Sequence, residues 1–214
     1  MSKPDAASLL LEPRKERIEQ VLSNRTRNLV VVLEKLEDPF NMAAVLRTCE
    51  GLGLQEVHVV KNPDHPFKPN HTVTQGCDKW LDLHRYDAFE QCAEALHARG
   101  FKIYGSGFTT GARSLYELGF DEKVALVFGN ERFGLSPSAL AKCDGIFWIP
   151  MYGFSQSFNI SVAVSATLNH AVRWRVEKLG RHGDLSEPEV AVLRERFQQL
   201  SVKQRGKLFP KPPK

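Results

Sequence analysis

The sequence predicts an α/β fold in which a parallel sheet is covered by helices on both faces. The first indication is a set of short apolar runs, of which 28–34 is continuous and rich in β-branched residues. Such runs are typical of strands that are buried on both faces. The second indication is that these runs alternate with longer segments of helical periodicity, as expected where crossover helices connect parallel strands.

Capping signals set the predicted helix boundaries. Asn41 is the expected cap of a helix that ends at Gly51 or Gly53, and Asp87 with Glu90 reads as a capping box. Residues 61–86 contain several Pro, Asn and His residues and are expected to be irregular. The predicted strands are 28–34, 57–60, 101–105, 124–128 and 146–149, and the predicted helices are 13–23, 41–51, 87–99, a short one from Ser136–Pro137, 157–178 and 187–200.

Length and composition favour one core with appendages. The chain has 214 residues, of which 42% are hydrophobic. No apolar run approaches the ~20 residues of a membrane helix, and Met1–Asp5 has no signal-peptide character. We therefore expect a cytoplasmic protein. The four cysteines include no C-x-x-C pair, so we expect neither a zinc site nor a disulfide framework.

Basic charge is concentrated at the two ends of the chain. Residues 1–27 hold 6 Lys or Arg and 4 Asp or Glu, residues 28–172 hold 12 and 16, and residues 173–214 hold 11 and 5. This distribution suits a compact body with basic extensions that grip a polyanionic backbone. The alternative is a pair of solvated, charge-rich helices that have no ligand.

Three parts are expected from this pattern. They are an N-terminal helical extension at 1–27, a body at 28–178, and a basic C-terminal helix with a tail at 179–214. The tail ends in a short Pro/Lys segment at 209–214. No internal repeat is visible.

Three loops follow predicted strands and are candidate ligand sites, because ligands of parallel sheets bind outside the carboxyl ends of the strands. The first, 105–111, approaches a dinucleotide fingerprint but has one residue too many before its last glycine. Its glycines would let the backbone approach a ligand, although a plain flexible loop explains them equally well.

The second loop, 129–136, and the third loop, 149–163, contain candidate polar groups. Glu131 stands at a strand's carboxyl end, where it could orient a substrate, or it could be solvated in an ordinary turn. Ser157 or Asn159 begins a helix, and the polar residues around them indicate a polar-lined pocket or simple capping. Arg47 lies among Ala, Val and Leu in a predicted helix, so it needs an anionic or carbonyl partner if it is buried.

These segments, in this order, resemble the SpoU family of RNA ribose methyltransferases, in particular its TrmH branch. The three family motifs resemble 41–47, 127–134 and 149–163, and the similarity covers about residues 14–180. The resemblance implies an α/β body whose C-terminal part forms a trefoil knot. It also implies a homodimer with the active site at the subunit interface, and S-adenosylmethionine held in the knot largely by backbone groups.

The resemblance assigns roles to ten residues and shows two departures. Phe158 stands where the family usually has Leu, and Glu37–Asp38 stands where the branch often has a His–Lys pair. The second departure removes positive charge beside the site. The cofactor-binding positions are Ser106, Gly129, Ile149, Met151 and Phe158, and the catalytic positions are Asn41, Arg47, Glu131, Ser157 and Asn159.

The family assigns activation of the ribose hydroxyl to Arg47. A guanidinium stays protonated in proteins, so we expect Arg47 to stabilise oxyanion character and to fix a phosphate instead. The other four catalytic positions would hold Arg47, the ribose and the methionine end of the cofactor.

The implied function is methylation of a ribose 2′-oxygen in tRNA, at the D-loop guanosine in position eighteen of tRNA, without a metal or a membrane. The single N-terminal helix and the basic C-terminal extension are similar to those of the TrmH branch. One alternative is methylation of ribosomal RNA or of another tRNA position. A non-enzymatic RNA-binding knotted protein is a second, and a Rossmann-type nucleotide enzyme has less support because the fingerprint is incomplete.

Overall fold

The structure is a computed structural model that describes residues 6–63, 74 and 76–202. The chain forms two compact units. The larger unit is Thr26–His182, and the smaller unit contains the described residues before Thr26 and after His182. The Pro/Lys segment at 209–214 lies outside the described residues.

A seven-stranded parallel sheet forms the centre of the larger unit. The strands are β1 (Leu29–Glu34), β2 (Glu56–Val60), β3 (Asp82–Tyr86), β4 (Lys102–Ser106), β5 (Arg113–Ser114), β6 (Val124–Phe128) and β7 (Gly145–Trp148). Their order is β3–β2–β1–β6–β4–β7–β5, and each neighbouring pair is parallel. The predicted α/β class with a parallel sheet is confirmed.

Two strands were not expected from the sequence. The prediction that 61–86 is irregular is wrong at its end, because Asp82–Tyr86 forms β3. This strand lies at the edge of the sheet and most of its side chains are only half-buried, so it has polar residues where a central strand is continuously apolar. The two-residue strand β5 is too short to leave a periodic signal.

Helices cover both faces of the sheet. The α-helices with described bounds in the larger unit are α2 (Pro39–Gly51), α3 (Phe89–Ala98), α4 (Pro137–Lys142) and α5 (Ile160–Leu179). Apolar side chains of α2 and α5 pack with alternate β1 residues on one face, and those of α3 and α4 pack on the other. Among the described helices, none is long and apolar enough to cross a membrane.

The start of α2 differs from the prediction and places Asn41 differently. Asp38, not Asn41, is the N-cap, and its side chain accepts a hydrogen bond from the backbone amide of Phe40. Pro39 occupies the first turn, where its fixed φ favours a helix and its missing N–H costs nothing. The N-cap therefore lies three residues earlier than predicted, and the side chain of Asn41 is not used for capping.

The other capping predictions have mixed outcomes. Ser136 caps α4 through the amide of Ala139, as predicted, and Asn159 caps α5 through the amide of Ser161. The predicted capping box at Asp87 is wrong. The N-cap of α3 is Ala88, whose side chain has no hydrogen-bonding group.

The strand order determines where the larger unit forms a crevice. From β1 the chain builds outward through β2 to β3 at one edge, and the later strands add on the opposite side of β1. The direction of addition therefore reverses between β1 and β6. The carboxyl ends of the strands beside this reversal are where open parallel sheets bind ligands.

The smaller unit joins the two ends of the chain. Its helices are α1 (Glu12–Leu22) and α6 (Glu187–Ser201), which bury Ile18, Leu22, Leu193 and Phe197. Arg194 donates from Nε and an Nη atom to the two carboxylate oxygens of Glu19, at 2.6 and 2.8 Å. The two terminal helices are therefore one packed unit.

Candidate active site

A cavity of about 620 Å³ lies at the carboxyl ends of β4, β6 and β7. This volume is within the ~300–1,000 Å³ that is typical of small-molecule sites. The loop after β4, the loop after β6 and the segment between β7 and α5 form its walls, together with Asn41 from α2. Nine of the residues singled out in the sequence line it: Asn41, Ser106, Gly129, Glu131, Ile149, Met151, Ser157, Phe158 and Asn159.

A directed chain of hydrogen bonds joins three of these residues. Asn159 accepts from the amide of Ser161 through Oδ1, at 2.9 Å, so its Nδ2 must point away from α5. That nitrogen donates to Oδ1 of Asn41 at 3.1 Å, and Nδ2 of Asn41 donates to Glu131 at 3.2 Å. The cap of α5 thus fixes the orientation of both amides, and the chain ends on a carboxylate.

Glu131 is held by backbone as well as by Asn41. The amide of Glu37 donates to Oε2 at 3.2 Å, and the amide of Asp38 donates to Oε1 at 3.4 Å. Burial alone would raise the pKa of Glu131, but these donors and its own backbone amide stabilise the carboxylate and lower the pKa below its ordinary value. Glu131 is therefore ionised at neutral pH and acts as a fixed acceptor at the cavity.

Arg47 does not line this cavity. Its side chain is exposed on α2, six residues after Asn41. At ~3.6 residues per turn, six residues place it about a third of a turn away from Asn41 around the helix. The structure brings Asn41, Glu131 and Asn159 together and leaves Arg47 outside.

Aromatic side chains form the apolar part of the cavity. Phe108 lies beside Trp148, with ring centroids 5.9 Å apart, and Phe133 and Phe158 add further apolar surface. Phe108 and Phe133 were not identified as site residues in the sequence, although both lie in loops that were. A cavity with apolar walls and one polar side suits an amphiphilic ligand.

The backbone at the end of β6 is closely packed. Asn130 and Gly134 exchange two backbone hydrogen bonds of 2.9 Å, which fold the loop back on itself. A Cβ atom at Gly129 would lie 2.3 Å from the carbonyl carbon of Gly134, so the position requires glycine. Buried Glu34 accepts from the amide of Ser136 at 3.0 Å and so anchors the far end of the loop.

One group of described side chains has metal-ligating chemistry, and it lies at the opposite end of the sheet. Glu56 at the start of β2 approaches His58 and His84 at 3.5 and 3.6 Å. Both oxygens of Glu56 already accept from arginines, Arg27 and Arg99. Burial would raise the pKa of Glu56, but its interactions with His58 and the arginines lower it. We interpret the group as an ion-pair cluster.

Known proteins similar to the chain point to one chemistry. Residues 28–169 match the SpoU rRNA Methylase family. A tRNA (guanosine(18)-2′-O)-methyltransferase of Thermus thermophilus is 37% identical over 166 residues, which cover 78% of this chain and 85% of that protein. The enzyme of the same name from Borreliella burgdorferi is 35% identical, with 92% and 89% covered. The crystal structure of the A. aeolicus TrmH/SpoU tRNA modifying enzyme superposes with a TM-score of 0.79, at 31% identity, over 90% of this chain and 98% of that one.

We predict that Gly129→Ala displaces the loop after β6. The added methyl group would overlap Gly134 and the amide of Leu135, and overpacking of this kind typically costs ~1–3 kcal/mol. Urea unfolding should report this loss, and amide exchange at 130–135 should accelerate. Gly153→Ala is the matched control, because its Cβ meets nothing within 4 Å. Equal stability of the two variants would contradict the close packing at Gly129.

Proposed function

Since the chain belongs to the SpoU rRNA Methylase family, we propose that it transfers a methyl group from S-adenosylmethionine to a ribose 2′-oxygen of tRNA, at guanosine 18. The observation that carries the proposal is the convergence of Asn41, Glu131 and Asn159 on one side of a cavity of ligand size. The target follows from the relatives, because the T. thermophilus and B. burgdorferi proteins are named for this nucleotide.

The cavity fits the cofactor by size and by polarity. S-adenosylmethionine combines a flat adenine with a charged amino-acid end, and the cavity combines aromatic walls with a hydrogen-bonded polar side. We assign Ser106, Gly129, Ile149, Met151 and Phe158 to cofactor binding. When bound, the cofactor supplies an electrophilic methyl group on a sulfonium, so the proposed transfer needs no metal.

The residues of the chain would contribute position and charge. A ribose hydroxyl is a weak nucleophile, and alignment with the methyl group can contribute ~7–11 kcal/mol of the barrier reduction. Glu131 offers a carboxylate whose place is fixed by three donors, the amides of Glu37 and Asp38 and the side chain of Asn41. Asn159 in turn orients Asn41. Ser157 lies beside them at the cavity wall. Arg47 would stabilise the developing oxyanion and bind a substrate phosphate.

We propose that Arg47 completes the cavity of a second protomer in a homodimer. Arg47 is exposed and does not line the cavity of its own chain, yet it shares α2 with Asn41, which does. Exposed aromatic side chains near the cavity, Tyr152 and Phe154, together with Phe40 on α2, would be covered by a partner. The active site would then lie at the subunit interface.

The strand order supports a knot in the C-terminal part of the larger unit. β7 follows β4 and β5 in the chain but lies between them in the sheet. The connection from β4 to β5 therefore runs around the position that β7 occupies. A chain that passes through such a loop and continues into α5 forms a trefoil knot, and this is the arrangement that we propose.

The basic extensions would grip the tRNA backbone in the cytoplasm. Residues 173–214 hold 11 Lys or Arg against 5 Asp or Glu, and the last twelve residues contain five of these cations and no acidic residue. Phosphate contacts by such segments supply affinity without sequence specificity. We propose 1–27 and 179–214 as substrate-binding extensions of the body at 28–178.

The direct test is methyl transfer from labelled cofactor to unmodified tRNA, with the modified nucleotide mapped in the product. We expect label on the 2′-oxygen of guanosine 18. Label on another tRNA position, or only on ribosomal RNA, would contradict guanosine 18 as the target and support the corresponding alternative substrate. Absence of cofactor binding would favour a non-enzymatic RNA-binding protein.

Mixing two inactive variants tests the interface. We expect Arg47→Ala and Glu131→Ala each to abolish turnover. If Arg47 acts in the partner's cavity, random reassembly of equal amounts restores about a quarter of the wild-type activity, because half of the dimers contain one intact site. If Arg47 acts in its own cavity, the mixture stays inactive, and that result would contradict our assignment.

Removal of 203–214 should weaken tRNA binding and reduce its salt dependence. Each lost phosphate contact lowers the slope of log K against log salt by about 0.7–0.9. Replacing the five Lys and Arg residues of this segment by Gln should have the same effect. Replacing Pro210, Pro212 and Pro213 by Ser retains the charge and should leave binding unchanged. A slope unaffected by the Gln variant would argue against a role for the tail.

A further inference from the structure

The placement of Glu131 depends on the contact between two loops. Glu131 belongs to the loop after β6, whereas the amides of Glu37 and Asp38 that hold its carboxylate belong to the loop between β1 and α2. These donors can reach Glu131 only if the two loops keep a fixed separation. A further interaction that joins the two loops would hold these donors in place.

The side chain of Asn130 makes that connection. Its Nδ2 donates to the carbonyl oxygen of Lys35 at 2.9 Å and to Oε1 of Glu37 at 3.1 Å, both in the facing loop. Its Oδ1 accepts from the amides of Arg132 and Phe133, at 2.9 and 3.2 Å, in its own loop. One amide group therefore uses its full hydrogen-bonding capacity to hold both loops.

The facing loop is shaped to receive this donor. Lys35 adopts a left-handed backbone with φ of +53°, which residues other than glycine rarely take unless their surroundings hold them there. Its carbonyl oxygen accepts a second hydrogen bond, from Asn62 at 3.1 Å. The unusual conformation thus presents a carbonyl to two amide side chains.

Glu37 supplies the second acceptor, and this gives a reason for the departure noted in the sequence. The related branch often has a cationic pair where this chain has Glu37 and Asp38. The histidine that the His–Lys pair would place at 37 could accept a hydrogen bond from Asn130 only in its neutral form, whereas a carboxylate accepts one in its charged form. The acidic residue at 37 and the amide at 130 are therefore complementary in this chain.

We propose that Asn130 and Glu37 are positioning residues, whose hydrogen bond keeps the carboxylate of Glu131 within reach of two backbone amides and of Asn41. The catalytic consequence rests on the function proposed above, but the geometric consequence does not. Asn130 lines the cavity, but its side-chain amide is fully used by the two loops, so it acts through Glu131.

Loss of the hydrogen bonds between Asn130 and the facing loop should change the pKa of Glu131. If the loops separate, Glu131 loses donors that lower its pKa, and partial burial, which raises the pKa, then prevails. The charged groups on the packed segments are Lys35, Glu37 and Asp38 on the facing loop and Arg132 on its own loop. The start of α5 contributes the uncharged Asn159.

Asn130→Asp is the informative variant. Aspartate retains an acceptor for the amides of Arg132 and Phe133, but it replaces the donor by an oxygen that faces Lys35 and Glu37. We expect the pKa of the Glu131 side chain, followed by carboxyl ¹³C NMR, to rise. We also expect kcat to fall by about 10- to 100-fold with KM for tRNA unchanged, since small misplacements of reacting groups have effects of this size.

A second substitution should restore the hydrogen bond between positions 130 and 37, with donor and acceptor exchanged. In Asn130→Asp combined with Glu37→Gln, the new amide at 37 can donate to the carboxylate at 130. We expect part of the lost kcat to return and the pKa of Glu131 to fall again. Glu37→Gln alone keeps an acceptor for Asn130 and should resemble the wild type. Asn169→Asp, on α5 where the side chain of Asn169 donates to the carbonyl oxygen of Ser165, controls for the change of net charge alone.

The outcomes separate the two proposals. An unchanged Glu131 pKa in Asn130→Asp, or no recovery in the double variant, would overturn the positioning role. If the wild type does not methylate tRNA, the proposed function fails, while the NMR titration still decides whether Asn130 positions Glu131. Should Asn130→Asp fail to fold, Asn130→Ala removes the donor to both acceptors without adding a charge, and it should raise the same pKa.

Discussion

The contact between the loop after β1 and the loop after β6 is the constraint on which the cavity depends. It lies where the strand order reverses, so no neighbouring strand holds these loops together beyond the last ladder hydrogen bonds. Side chains must do so instead. Buried Glu34 anchors one end of the loop after β6, and Asn130 holds its beginning. The polar side of the cavity exists because these two contacts fix the loop that carries Glu131.

The polar groups of the cavity are arranged for position rather than for proton transfer. Backbone amides determine the orientation at both ends, through the cap of α5 at Asn159 and through the amides that meet Glu131. Backbone donors move little, so the acceptor they hold is preorganised. In the proposed reaction this arrangement would align the ribose oxygen with the methyl group, and the permanent charge of Arg47 would act from the partner.

The two units would have different roles in the proposed function. The larger unit contains the sheet and the cavity, while the end segments carry the basic surplus. In the smaller unit, α1 and α6 are held together by buried apolar side chains and by the ion pair between Glu19 and Arg194. The chemistry would require fixed distances, whereas electrostatic attraction to phosphates tolerates a looser arrangement.

The sequence by itself determined the features that depend on neighbouring residues. Buried strands such as β1, the caps at Ser136 and Asn159, and the cavity-lining loops were all predictable from local pattern. Family resemblance assigned Glu131 before its partners were known. Tertiary structure decided the rest: the edge strand β3, the release of Asn41 from capping, the exposure of Arg47 and the role of Asn130. The bond from Asn130 to Lys35 joins residues 95 positions apart. Such a pair leaves no periodic or local signal, because it depends on which strands become neighbours when the sheet forms.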